Sequence, residues 1–276
     1  MKVWVINLDR SPERLAHMQQ ELGRLGVPFE RVSAVDGATL AASQIARWTS
    51  APMAGGTVLT PGEIGCIHSH RRCWQETVDA GEPGAVLEDD VLVSEDARNY
   101  LTADDWIPTD ADIIKLETFL RPILVDKHAA AVRDRELLRL RREHLGSAGY
   151  IITPASAARL LKLDEVYGLP LDHLLFDPES PAFATMTIYQ LSPAICVQQQ
   201  VVASRRARRL AASSDRAAPF FASNLKTQRT LRRPSRSPVQ RIARAIRRPF
   251  ARVADAATRA FTTATTERRW TTTGFR

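Results

Sequence analysis

The chain has 276 residues, with 38 Lys and Arg against 31 Asp and Glu, and 44% of its residues are hydrophobic. That length suits one large domain, or a domain with an appendage, and the apolar fraction is ordinary for a globular core. No apolar run approaches the roughly 18 residues of a spanning helix, residues 1–10 meet charge too soon for a secretory signal, and three cysteines with no CxxC pair exclude a disulfide framework. A reduced, cytosolic setting is expected. The net charge of +7 averages two unlike parts: residues 1–202 carry 19 basic and 28 acidic residues, whereas residues 203–276 carry 19 basic and 3 acidic. The division predicts an acidic body followed by a basic tail.

Val3-Trp4-Val5-Ile6 is a short apolar run suited to a buried first strand. Ser11-Pro12-Glu13 then opens a helix, with Ser as cap, Pro at the first helical position and an acid in the first turn. Leu15, Met18, Leu22 and Leu25 mark its apolar face, and Gly26 ends it. Residues 29–35 read as a second strand, and a strand–helix–strand opening favours an α/β sheet. Residues 36–62, punctuated by Gly37, Pro52, Gly55, Gly56, Pro61 and Gly62, read as irregular, with a helix over about 63–80 after them. Further strands are expected at 84–87, 113–116, 148–153, 188–191 and 194–197, with a Pro154-initiated helix following the third of these. In the tail, Val239, Ile242, Ile246, Phe250, Val253, Ala257 and Phe261 recur at helical spacing, and Arg241, Arg244, Arg247, Arg248 and Arg252 fall largely between them. That pattern predicts a basic amphipathic helix over about 238–262, interrupted at Pro249.

The strand at 84–87 delivers Glu88-Asp89-Asp90 at its end. Three adjacent carboxylates repel one another, and a fold that gathers them at a strand end commonly holds a cation there. Hard oxygen ligands suit Mg2+ or Mn2+, which bridge to substrate phosphates, and the carboxyl edge of an open α/β sheet is where ligands bind. The alternative is a solvated acidic loop. Asp104-Asp105 and Asp110-Ala111-Asp112 lack the preceding apolar strand and read as surface. His68 and His70, two apart on a helix, point to different faces, while Cys66 and Cys73, seven apart, share a face and read as small core residues.

Seven stretches, in order and spanning roughly residues 3–200, resemble glycosyltransferase family 25, the bacterial lipopolysaccharide and lipooligosaccharide sugar transferases. They are Val5-Ile6-Asn7-Leu8-Asp9-Arg10 with Arg14; Gly62-Glu63-Ile64-Gly65-Cys66-Ile67-His68-Ser69-His70; Val86-Leu87-Glu88-Asp89-Asp90-Val91; Lys115-Leu116-Glu117-Thr118; Gly146-Ser147-Ala148-Gly149-Tyr150-Ile151-Ile152; Leu171-Asp172; and Gln190-Leu191-Ser192-Pro193-Ala194. The resemblance implies an α/β, GT-A type nucleotide-sugar-binding fold with a mostly parallel central sheet. It also implies inverting transfer of a sugar from a nucleotide donor, commonly UDP-galactose, to a glycan acceptor.

On that resemblance Asp90, with Glu88 or Asp89 beside it, would hold Mn2+ or Mg2+ against the departing diphosphate. Asn7, Asp9, Arg10 and Arg14 would line the nucleotide pocket, where Arg10 or Arg14 either pairs with the pyrophosphate or forms a helix-start ion pair. His70 would orient the donor or fill a buried polar position, and Gly146 and Gly149 would let donor sugar or acceptor approach the backbone. Inversion needs a base for the acceptor hydroxyl. Asp172 is the first candidate, with helix capping as its alternative role, and Glu117 is the second; Lys115 reads as its ion-pair neighbour. Many enzymes of this fold carry a late histidine as a further metal ligand, and Val197-Gln198-Gln199-Gln200-Val201 offers none.

The tail then reads as an address to an anionic membrane surface, at about 1 kcal/mol per engaged Arg. It would keep the enzyme in the bacterial cytoplasm, peripheral on the inner face of the cytoplasmic membrane and close to a lipid-linked acceptor. Nucleic acid is the lesser reading, because the tail has few aromatics and no recognition motif. A non-catalytic glycan- or membrane-binding member of the same fold is the competing function.

Overall fold

The structure is a computed structural model that describes residues 1–49, 58–163, 168–210, 259–260 and 262–276. The amphipathic segment expected at about 238–262 lies almost entirely outside the described residues. The chain opens as the apolar run and the Pro12 start require, with β1 (Lys2–Asn7), α1 (Pro12–Gly23) and β2 (Glu30–Ser33). Ser11 occupies the cap position of α1 without a side-chain hydrogen bond to the helix. The stretch expected to be irregular holds a short 3-10 turn (Gly37–Thr39) and α2 (Ala42–Thr49). Next come α3 (Pro61–Ala80), β3 (Gly84–Glu88), β4 (Val91–Val93), α4 (Arg98–Leu101), β5 (Ile113–Lys115), β6 (Pro122–Val132), β7 (Arg135–Leu140) and β8 (Gly149–Ile152). The body continues with α5 (Pro154–Leu161), α6 (Leu171–Phe176), α7 (Pro181–Thr185), β9 (Ile188–Ser192), β10 (Cys196–Gln198) and α8 (Gln199–Leu210), and β11 (Arg268–Thr272) follows near the end.

Nine strands form one sheet in the order β11-β6-β7-β9-β5-β8-β3-β1-β2, and β10 pairs with β4 in a separate ribbon. The pairs β1–β2, β1–β3 and β5–β9 are parallel. Strands β8, β7 and β11 run against the other six, so the sheet is mixed although most strands share one direction.

Alternation along the strands sends neighbouring side chains to opposite faces, and each face has its own core. Trp4, Ile6 and Val86 pack with Ile64, Ile67 and Trp74 of α3 and with Leu174 and Phe176 of α6. Val3, Val5, Ala85 and Leu87 pack on the other face with Met18 and Leu22 of α1 and with Val91 and Val93 of β4.

Two parts of the sheet were not foreseen. The β6–β7 hairpin turns on Arg133-Asp134, with Arg133 at φ 55° in place of the Asn-Gly type of turn that marks a hairpin in sequence. Arg133 is held there by an ion pair to Asp105 at 2.7 Å, and Asp134 accepts from the Tyr100 hydroxyl at 2.6 Å. The second part is β11, which pairs antiparallel with β6 through Arg268–Thr272 and forms an edge of the sheet. Thr118 Oγ1 donates to the Thr273 carbonyl at 2.8 Å, the Ala194 N–H donates to the Gly274 carbonyl at 2.8 Å, and Arg135 donates to the Arg276 carbonyl at 2.8 Å. The basic stretch expected over 203–276 therefore meets the body at both ends. Among the described residues no helix is long and apolar enough to cross a membrane.

Candidate active site

Parallel pairing aligns Asn7 with Ser33 and Ile6 with Glu88, so the carboxyl ends of β1, β2 and β3 share one edge. Helix α3 stands against that edge, and its start is fixed by a capping box. Thr60 Oγ1 accepts from the Glu63 N–H at 3.2 Å, and a Glu63 carboxylate oxygen accepts from the Thr60 N–H at 2.8 Å. The resulting phase turns Cys66 and His70, four residues apart, toward Glu88, while His68 meets the edge of Trp48 with ring centroids 5.2 Å apart. These elements enclose a cleft of about 150 Å3 lined by Arg10, Arg14, Asp36, Cys66, His70, Glu88, Asp89 and Asp90 among others.

The residues after β1 hold this cleft together. Asn7 Nδ2 donates to Asp89 Oδ2 at 2.7 Å and to the Ser11 carbonyl at 2.9 Å, and Asn7 Oδ1 accepts from Arg31 Nε at 3.1 Å. Asp9 pairs with Arg31 and accepts from the Ser33 hydroxyl at 2.9 Å, at the exposed rim. Arg10 pairs with Asp36 at 2.5 Å. Arg14 reaches deeper, to Asp89 Oδ1 at 3.0 Å and Asp90 Oδ2 at 2.8 Å. Both arginines are thus carboxylate partners on the wall of the cleft.

Burial governs how the three acids titrate. Asp90, almost wholly enclosed, is pushed up to about 7 by burial and by the charges of Glu88 and Asp89, against the opposing pull of Arg14 and Gln198. Burial raises the Asp89 carboxyl as well. On Glu88 burial also acts upward, but His70, Arg14 and Ser147 outweigh it and its pKa lies below the ordinary value.

Glu88 Oε2 and Asp90 Oδ1 converge on one point, since both accept from Gln198 Nε2, at 3.5 and 3.4 Å. Two hard carboxylate oxygens around a shared focus of positive character are a donor set that fits Mg2+ or Mn2+. Gln198 comes from the glutamine run read above only for the histidine it lacks. Nothing in the sequence links it to residues 108 and 110 positions earlier, and only the β10–β4 pairing, which sets Gln198 opposite Val91, brings it there.

A second cleft, of about 450 Å3, is lined by Phe119, Arg121, His144, Gly146, Asp172, Gln200 and Arg205 among others. Ser147 links the walls of the two clefts: its hydroxyl donates at 3.2 Å to Glu88 Oε1, which lines the first, and Gly146 beside it lines the second. Asp172 lies in the first turn of α6, where Pro170 holds the cap position, and its Oδ1 accepts from the His173 N–H at 3.0 Å.

Glu117 is fully buried and lines neither cleft. Its Oε2 accepts from the Ala148 N–H at 2.9 Å and from Lys115 Nζ at 3.4 Å, and Oε1 has no hydrogen-bond partner among the described residues. Burial raises the Glu117 pKa and lowers that of Lys115. Gly146 has φ +101°, and a Cβ there would fall 2.2 Å from the Phe119 ring and 2.9 Å from Glu117 Oε2. At Gly149 a Cβ would fall 2.2 Å from Cys196 Sγ. Neighbouring side chains thus require both glycines; Gly146 also lines a cleft, whereas Gly149 is enclosed within β8.

A cleft lined by an acid cluster on the carboxyl edge of an α/β sheet, with a second cleft beyond Ser147, is the layout of an α/β enzyme. The model of glycosyltransferase family 25, described as an LPS biosynthesis protein, matches residues 1–175. The chain belongs to this family and is a glycosyltransferase. It is similar to the lipooligosaccharide biosynthesis protein lic2B of Haemophilus influenzae, at 31% identity over 207 residues that cover 71% of this chain and 75% of that protein. The lacto-N-neotetraose biosynthesis glycosyltransferase LgtE of Neisseria gonorrhoeae is 32% identical over 217 residues, covering 72% of this chain and 74% of that protein. Among solved structures, a glycosyltransferase involved in glycosylation of the major capsid of PBCV-1 overlaps 76% of this chain and 100% of its own, at 8% identity and a TM-score of 0.38.

Proposed function

We propose that the chain is an inverting galactosyltransferase of GT-A type, which moves galactose from UDP-galactose onto a lipooligosaccharide or related glycan with the help of Mn2+ or Mg2+. Its place is the bacterial cytoplasm, on the inner face of the cytoplasmic membrane, with the basic stretch gripping the anionic surface. The lipooligosaccharide and lacto-N-neotetraose products named for its relatives support the acceptor class. The carrying observation is the convergence of Glu88 and Asp90, both lining the first cleft, on one focus at Gln198 Nε2.

In this reading the donor occupies the cleft under Arg10 and Arg14, and the acceptor occupies the cleft under Asp172. Asp172 takes the proton of the acceptor hydroxyl, that oxygen forms its bond to the sugar C1, and the bond from C1 to the diphosphate oxygen breaks on the opposite side. Asp172 serves better than Glu117 because it lines the cleft, whereas Glu117 is sealed between Lys115 and the Ala148 N–H. Glu88 and Asp90 would hold the cation, which when bound would supply Lewis-acid stabilisation for charge on the departing diphosphate. Arg14, fixed by two carboxylates, adds permanent positive charge at the same edge. Asn7 holds Asp89, and Ser147 holds Glu88, in the positions this requires.

Nucleotide release with UDP-galactose, UDP-glucose and their N-acetyl forms, each with a lipooligosaccharide acceptor and with Mn2+ or chelator, tests the proposal. Turnover with UDP-galactose that chelator abolishes is the expected result. Preference for another donor would correct the sugar, and the absence of both turnover and cation-linked nucleotide binding with every donor would overturn the reading.

A further inference from the structure

Cys66 and His70 take no part in the transfer described above. They lie four apart on α3, so their side chains stand one above the other on one helix face, and Glu88 faces them from the end of β3. One ligand atom from each of Cys66, His70 and Glu88 lies within 4.8 Å of the other two. His70 is 1% exposed. Its Nδ1 is engaged with the Tyr150 hydroxyl at 2.9 Å, its ring stacks on that of Tyr150, and Trp74 Nε1 donates to the same hydroxyl at 2.8 Å. These contacts fix the imidazole plane and aim Nε2 at Glu88 Oε1, 3.6 Å away, with no hydrogen-bond partner among the described residues. A buried ring nitrogen left in that state is costly, and such a group calls for a ligand.

We propose that Cys66 Sγ, His70 Nε2 and Glu88 Oε1 form a binding site for a borderline-soft divalent cation of the Zn2+ class, separate from the hard-oxygen focus between Glu88 and Asp90. Tetrahedral Zn2+ bound by sulfur, nitrogen and oxygen sets its ligand atoms about 3.4 to 3.6 Å apart. The His70–Glu88 pair already stands at 3.6 Å. Cys66 is half-buried and lines the first cleft, so the site opens to solvent on one side and leaves the fourth position to water or a substrate oxygen. The Tyr150 hydroxyl, already bound to Nδ1, supplies the outer contact that orients a metal-bound imidazole. Thiolate and imidazole favour Zn2+ over Mg2+, whereas the Glu88–Asp90 focus is all carboxylate and favours the harder ions. Glu88 faces both, through Oε1 here and Oε2 there, so Zn2+ in the soft site sets a second dication against the same carboxylate, weakens the hard site and slows transfer as Zn2+ rises. That consequence rests on the sugar-transfer reading; the binding itself does not.

Titration of the full, metal-free chain with Co2+, followed by thiolate-to-cobalt absorption in the near ultraviolet, tests the binding without any sugar donor. One equivalent should develop the band and Zn2+ should displace it. The band should vanish in Cys66→Ser, persist in Asp90→Asn and Cys73→Ser, and need at least about tenfold more Co2+ in His70→Gln. No band in the wild-type chain, a band that survives Cys66→Ser, or one that Asp90→Asn removes equally overturns the proposal. Should Cys66→Ser fail to fold by circular dichroism, alkylation of Cys66 in the wild-type chain decides the matter. Protection by Zn2+ and not by Mg2+ supports the site, and equal reactivity with and without Zn2+ overturns it.

Discussion

Burial is the main force on the Asp90 carboxyl, and its consequence reaches beyond catalysis. Its pKa in the folded chain is pushed up to about 7, chiefly by burial, against roughly 3.9 in an unfolded chain. The folded state therefore holds the proton more tightly, and between about pH 4 and pH 7 stability falls as pH rises, by up to about 1.4 kcal/mol per pH unit. Asp90→Asn, with no proton to lose, should flatten that slope and abolish turnover. Urea denaturation in chelator at about pH 5 and about pH 8 checks it, and the variant should gain on the wild-type chain at the higher pH. The two candidate bases separate in the same kind of measurement. Asp172→Asn should lower kcat by about 100- to 10,000-fold with an ordinary melting temperature. Glu117→Gln should instead cost about 3 kcal/mol of stability, because it leaves the Lys115 charge buried without its partner. At this scale the sequence showed what adjacency shows: Glu88, Asp89 and Asp90 are consecutive and end an apolar strand. Gln198, and the meeting of Cys66 and His70 with Glu88, arise from tertiary pairing and left no local signal.

Helix α3 forms one wall of the first cleft through Gly62, Cys66, Ser69 and His70, and its phase is set at one end. In Thr60→Ala the Oγ1 acceptor for the Glu63 N–H is lost, a change worth about 1 kcal/mol at a helix start. A lower melting temperature is expected, with Co2+ affinity at the Cys66–His70–Glu88 site reduced through displaced Cys66 and His70; an unchanged melt would show that tertiary packing alone holds the helix start. The strands β1, β3, β5 and β9 and the helices α1, α3 and α5 were legible, because each pairs an apolar run or stripe with a Pro, Gly or polar boundary. The β6–β7 hairpin was not. Ala129, Ala130 and Ala131 of β6 are exposed, which removes the alternation that identifies a strand, and Arg133 takes a left-handed turn position that Gly or Asn ordinarily marks. Cys66 read as core for a similar reason: spacing gives a helix face but not whether a cleft cuts into it.

The whole molecule revises how the basic stretch must be tested. Removing everything after residue 202 would also remove β11, uncover the edge of β6 and delete the partner of Arg135 at Arg276. Such a truncation should unfold at a lower temperature than the full chain, so its loss of membrane binding would carry no information about charge. Replacing Arg241, Arg244, Arg247 and Arg248 with Gln keeps the sheet whole and removes about 1 kcal/mol of surface attraction for each engaged arginine. Sedimentation with anionic vesicles should fall sharply in this variant while the melting temperature stays put; equal sedimentation would refute the proposed grip. The attachment of β11 also turns the basic stretch from a leash into a handle. A leash, fixed at one end, lets its load swivel. A handle has two feet, one here on α8 beside the cleft that holds Asp172 and the other on the last strand of the sheet. The mouth beside Arg205 therefore stands next to one foot, and the β6 edge of the sheet stands next to the other.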